Sequence, residues 1–140
     1  MAGRTIKTPP KLSALVCALF EDQGRYFFLE KTDERGRVQI ELPSLLVNEG
    51  EDPVSSLAAY IRNSLGLDAQ IHLILLRGSF NVGTRKRRHI IPVLAFRCTV
   101  KKMSVKLPAT YSGSRWLSAE ASFAEKMGRN TEWLMRAEKI

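Results

Sequence analysis

The chain has 140 residues, 44% of them hydrophobic, and its 22 Lys and Arg against 14 Asp and Glu leave a net charge of +8. That length and apolar content fit a single domain over residues 1–140, with a core large enough to need no disulfide or structural metal. The positive balance favours polyanionic partners such as RNA, DNA or nucleotides, and charge alone names none of them.

In chain order, MAGRTIKTPPK lacks the hydrophobic region of a secretory signal, and its first ten residues are expected to form a flexible basic tail. No apolar stretch approaches the roughly 18 residues a membrane helix needs, so no membrane partner and a cytoplasmic location are expected. LSALVCALF, from Leu12 to Phe20, reads as a strand covered on both faces, and EDQGR turns it into a second strand, YFFLEK. After the TDERGR loop, Val38, Ile40 and Leu42 alternate with Gln39 and Glu41 as a half-buried strand ending at Pro43, and SLLVNEGE is expected to be a loop.

Asp52 before Pro53 marks a helix start, Gly66 a stop, and Val54, Leu57, Ala58, Ile61 and Leu65 between them form one apolar face. Two long strands follow, Ala69 to Phe80 and His89 to Val100, joined by the basic loop NVGTRKRR. Pro92 predicts that the second of these is bulged or at a sheet edge. SRWLSAEAS reads as a short strand entering a helical turn, and Asn130 is expected to cap a last helix holding Trp133, Leu134 and Ala137. Cys17 and Cys98 lie in strand-like apolar runs and are expected to be buried free thiols.

Residues 41 to 67, ELPSLLVNEGEDPVSSLAAYIRNSLGL, resemble the Nudix box, the loop-helix-loop motif of the Nudix (MutT-like) family. The ELP lead-in, Val47, the Gly50-Glu51 pair, the Asp-Pro start, Leu57, Ile61, Leu65, Gly66 and Leu67 fall where that family has their like. The hairpin before the box, the strands after it and RWLSAE extend the resemblance over nearly the whole chain. It implies an α/β fold, a Nudix-like α/β/α sandwich with a mixed β-sheet.

The box is degenerate in its chemistry. Where the family carries an Arg-Glu and a Glu-Glu pair, this chain has Ala59, Tyr60, Asn63 and Ser64, and Leu45 stands at the glycine before the spacer. The family's glutamates hold divalent cations that neutralise a diphosphate and activate water, and a hard, strongly hydrated ion needs anionic oxygen ligands. Tyr60, Asn63 and Ser64 share one stripe of an ideal helix, a stripe without charge.

The expectation is therefore a Nudix-like domain that lacks diphosphate hydrolase activity, uses no cofactor, and binds a nucleotide or RNA phosphate. The phosphate contacts are expected from Arg85, Lys86, Arg87 and Arg88 in the basic loop, extended by Arg77, with Tyr60 a candidate for stacking on a base. The plain alternatives are a solvated hairpin tip and a packing tyrosine. A competing reading is an active hydrolase, dependent on Mg2+ or Mn2+, with displaced carboxylates drawn from Glu49, Glu51, Asp52 and Glu120; Glu51 is the residual catalytic candidate. Asp52 is equally explained as a helix cap. A third reading is a protein-interaction subunit, recognised by a homodimer or larger complex. His72 and His89 have no ligand-type neighbours at metal spacing, and Trp116 and Trp133 are expected in the core.

Overall fold

The strongest apolar run of the chain becomes its central strand. In the computed structural model, which describes residues 11–140, β1 (Leu12–Asp22) pairs with three others along its length. Its first half runs antiparallel to β4 (Ser44–Asn48), Leu15 to Phe20 run parallel to β6 (Ile90–Val100), and Glu21 and Asp22 turn back onto β2 (Arg25–Thr32). Beyond β6 lie β5 (Ala69–Asn81) and the two-residue β8 (Glu138–Lys139). β2 in turn pairs with β3 (Val38–Glu41) and with β7 (Gly113–Leu117). The sheet is mixed and open. The basic tail expected over residues 1–10 lies outside the described residues.

Alternate residues of β1 serve two cores. Val16, Ala18 and Phe20 face Leu57, Ile61 and Leu65 of the helical segment after Asp52. Leu15, Cys17 and Leu19 face Ile91, Val93, Trp133 and Leu134 on the other side. An apolar residue at every position is what a strand buried on both faces requires. Each fully buried Leu or Phe is worth about 1.5–3 kcal/mol relative to exposure. Burial also raises both thiols: Cys98 is pushed up to about 12 and Cys17 further still.

Helix α1 (Pro53–Tyr60) starts as expected. Asp52 accepts from the amides of Val54 and Ser55 at 3.3 Å and from the Ser55 hydroxyl at 2.6 Å. These bonds, the Ser55 hydroxyl first, hold its carboxyl below the usual carboxylate range. A depressed folded value means stability that is present above the unfolded pKa near 3.8 and lost as pH falls through the folded one. The Asp52→Ala variant is accordingly expected to melt below the wild type at neutral pH, with the gap closing as a pH series of thermal melts descends below about 4.

Ile61–Leu65 widens into a π-helical turn, which loosens the stripe expected for Tyr60, Asn63 and Ser64, since three- and four-residue spacing holds only for an α-helix. Gly66 closes the turn at φ 68°, a left-handed conformation that favours glycine.

Four expectations are corrected. SLLVN is strand β4, not loop: Leu45 and Val47 face the helix-side core while Ser44, Leu45, Leu46 and Val47 complete a ladder along β1. β6 is interior, and no bulge falls at Pro92, which tolerates the ladder because pairing with β1 begins one residue later, at Val93. The last helix is a short 3-10 turn, Glu132–Arg136, after which Ala137 is extended and β8 forms. Asn130 does not cap it, because its amide donates to Ser44 Oγ at 2.8 Å and its carbonyl accepts from the Thr131 hydroxyl. Trp133 is buried in the second core, whereas Trp116 is half-buried and meets the Phe27 ring edge-on at 5.4 Å. Among the described residues, no helix is long and apolar enough to cross a membrane.

Candidate functional site: a bare catalytic face and a basic groove

On the helix-side face, α1 presents a half-buried Tyr60 and the turn after it an exposed Asn63. Tyr60 and Tyr111 pack on the same core cluster. Burial raises both phenols, and the nearby Glu41 charge raises them further. Glu41, 8% exposed at the end of β3, pairs with Leu29 of β2 along the ladder, and its carboxylate makes no ion pair among the described residues. In the sequence Glu41 is marked only by strand alternation and by its place in the ELP lead-in.

The remaining carboxylates near the box are turned to local structure. Glu51 accepts from the Asn48 amide at 2.8 Å and closes its own loop. Asp52 is the helix cap, Glu49 is exposed, and Glu120 lies on α2 (Ala119–Ser122), beside a cavity lined by Tyr26 and Phe123. Among the described residues, no three Asp, Glu, His or Cys side chains come together in a group that could hold a metal ion. A neutral Asn, Ser and Tyr set does not fit magnesium or manganese. His72 bonds Thr99 Oγ1 at 2.7 Å, and His89 is exposed at the root of the basic loop.

Across the sheet, arginines converge. A cavity of about 500 Å³ is lined by Arg77, Arg88, Arg136, Trp133 and Glu138 among others. A second, of about 460 Å³, is lined by Arg85, Arg129, Arg136, Glu132 and Trp133 among others. Ser79, Asn81, Trp133 and Arg136 belong to both, so the two are lobes of one groove between the β5–β6 loop and the 3-10 turn. Arg77, Arg85, Arg88 and Arg136 are exposed and make no ion pair among the described residues.

The loop that carries Arg85 and Arg88, between β5 and β6, is held in shape. Asn81 Oδ1 accepts from the amides of Gly83 and His89 at 2.9 Å, and Thr84 Oγ1 accepts from the Arg87 amide at 3.0 Å. Gly83 runs so close to the Arg87 carbonyl that any Cβ there would collide with it. Arg129 donates to the carbonyls of Asn81 and Gly83 at 2.8 and 2.6 Å and sits 5.8 Å from the Phe80 ring centre. It is the strut that ties the loop to the segment before the 3-10 turn.

Of the residues singled out from sequence, Arg77, Arg85 and Arg88 come together. Lys86 and Arg87 are exposed in the loop and are not among the residues lining the two lobes. Tyr60 belongs to the helix-side core, on the face of the sheet opposite Trp133 and the groove. Sequence reasoning missed Arg129 and Arg136, isolated cations in a segment read for its apolar residues; neither stood in a run.

No protein-family model and no curated protein sequence matches the chain. Solved structures do. The chain is similar to the E. coli ORF135 protein, with TM-score 0.67 and 18% identity over 90% of this chain and 88% of that one. It is similar to the MutT protein of Methanosarcina mazei Go1, with TM-score 0.66 and 18% identity over 93% and 95%. It is also similar to the Nudix domain of Shewanella oneidensis NrtR, a structure complexed with ADP ribose, with TM-score 0.57 and 11% identity over 94% and 90%. These likenesses define the class: the chain has the Nudix fold, an α/β/α sandwich around a mixed sheet. A fold hosts many functions, and the site has to supply the rest.

Proposed function

We propose that this Nudix-fold domain binds a nucleotide or RNA through its phosphates and does not hydrolyse diphosphates. The observation that carries the reading is the groove: four exposed arginines without ion pairs, Arg77 on β5, Arg136 on the 3-10 turn, and Arg85 and Arg88 on a loop braced by Asn81, Thr84 and Arg129. Like charges crowded onto a rigid support repel one another, and a phosphate relieves that repulsion while arginine's planar fork binds it in bidentate fashion. The loss of hydrolysis follows from the uncharged helix stripe and from Glu51, whose carboxylate already serves the Asn48 amide.

Two titrations test the reading. Magnesium or manganese added to the protein in a calorimeter, with and without a non-hydrolysable ADP-ribose analogue, is expected to give no saturable heat, and Glu51→Gln to change thermal stability instead of metal affinity. Labelled single-stranded RNA is expected to bind with an affinity that falls steeply with salt. Millimolar or tighter metal binding that Glu51→Gln removes would restore the hydrolase; salt-insensitive RNA binding would remove the groove from the explanation.

A further inference from the structure

We infer that the ligand of the groove is a single-stranded polynucleotide, held by consecutive backbone phosphates in both lobes and with little regard to base. The inference rests on the phosphate-binding reading and sharpens it. Arg77 and Arg88 line one lobe, Arg85 the other, and Arg136 stands in both. A mononucleotide can neutralise one lobe and leaves the cations of the other facing each other. A chain with a phosphate at every residue neutralises both.

Stacking surfaces are lacking in the same place. Trp133 is only 4% exposed, its indole N–H donates to the Asn130 carbonyl at 2.9 Å, and Phe80 carries Arg129 over its ring. Single-strand binders that hold bases do so on open aromatic faces, so a groove with arginines, one buried ring and one half-buried ring beneath a guanidinium holds backbone. Glu132 and Glu138 also line the groove, and against five arginines they leave it net positive. Lobes of about 500 and 460 Å³ are of the scale that encloses small ligands, which suits a few nucleotides of single strand better than a duplex.

The test is a length series. Fluorescence anisotropy with labelled RNA and DNA from one to eight nucleotides, in different homopolymers, is run beside competition by inorganic diphosphate. Affinity is expected to rise about tenfold or more once a strand reaches both lobes, because the second lobe is then filled at high effective concentration. Homopolymers of different base are expected to bind alike, and RNA and DNA arms report whether the sugar contributes. Arg85→Ala is expected to remove the length gain while diphosphate still competes in the other lobe. Arg136→Ala should weaken every probe and flatten the salt dependence by roughly 0.7 in log–log slope, the share of one phosphate on a single strand.

A mononucleotide that binds as tightly as the longest strand, a strong preference for one base, or a length gain surviving Arg85→Ala would each overturn the inference while leaving a phosphate site. Failure of every phosphate-bearing probe, diphosphate included, would overturn both.

Discussion

Reversing Arg85, Arg88 and Arg136 to glutamate is expected to abolish RNA binding and leave the fold intact. Each of the three is exposed and free of ion pairs among the described residues, so no native ion pair is lost. Surface changes of that kind usually fall within about 0.5 kcal/mol of neutral. A charge-assisted phosphate contact contributes about 1.5 kcal/mol or more, so losing three of them costs on the order of a thousandfold in affinity before any repulsion is added. Lys86→Glu with Arg87→Glu provides the comparison. Those side chains do not line the lobes, so their reversal should mainly slow association, as expected of charges that steer without touching. Undiminished binding by the triple variant, with an unchanged melting curve, would mean that the groove is not the site.

The largest effect on stability is expected from Trp133→Ala. The indole is 4% exposed, lies in the core formed by Leu15, Cys17, Leu19 and Leu134, and donates to the Asn130 carbonyl. It also packs on Gly78, where a Cβ would come within 2.8 Å of the ring. Removing a buried tryptophan costs about 3–5 kcal/mol, the lost burial and the cavity left behind together. In a domain of this size the melting temperature should fall by about 10–20 °C. Because the same ring lines both lobes, phosphate affinity should drop with it, measured well below the melting range. Trp133→Phe keeps most of the volume and should recover most of the stability. Equal melting temperatures for Trp133→Ala and wild type would show that the indole carries little of the second core.

Much of the fold could be read from local chemistry. The unbroken apolar run of β1, the Asp52-Pro53 start, Gly66 and the paired runs of β5 and β6 each carry a signal that packing only reinforces. The signals that failed were those that depend on partners. SLLVN carries no strict alternation, and Leu46 is 44% exposed, so its strand state comes from the ladder along β1. Pro92 looked out of place until the start of the β1 pairing was known. Asn130 had the chemistry of a cap and spends it on Ser44, 86 residues away.

The site was half legible for the same reason. A run such as RKRR can be seen in one dimension, and Arg77 could be guessed from its strand. Arg129 and Arg136 acquire meaning only where the chain's last segment crosses the hairpin. Tyr60, chosen for its place in the box, is separated from the arginines by the sheet itself, a distinction that alternation along β1 determines and that helix spacing cannot reveal.

The parallel pairing of β1 with β6 also governs when the molecule can come into being. Leu15 waits for Val93 and Phe20 for Cys98, so the most apolar strand of the chain leaves the ribosome long before its neighbour exists. Contacts so distant in sequence must overcome loop-closure entropy before they return any free energy, and they form slowly. Until then LSALVCALF has only β4 and α1 to cover it and keeps the edge meant for β6 open, and this window is when a newborn chain is most exposed to aggregation and most in need of a chaperone.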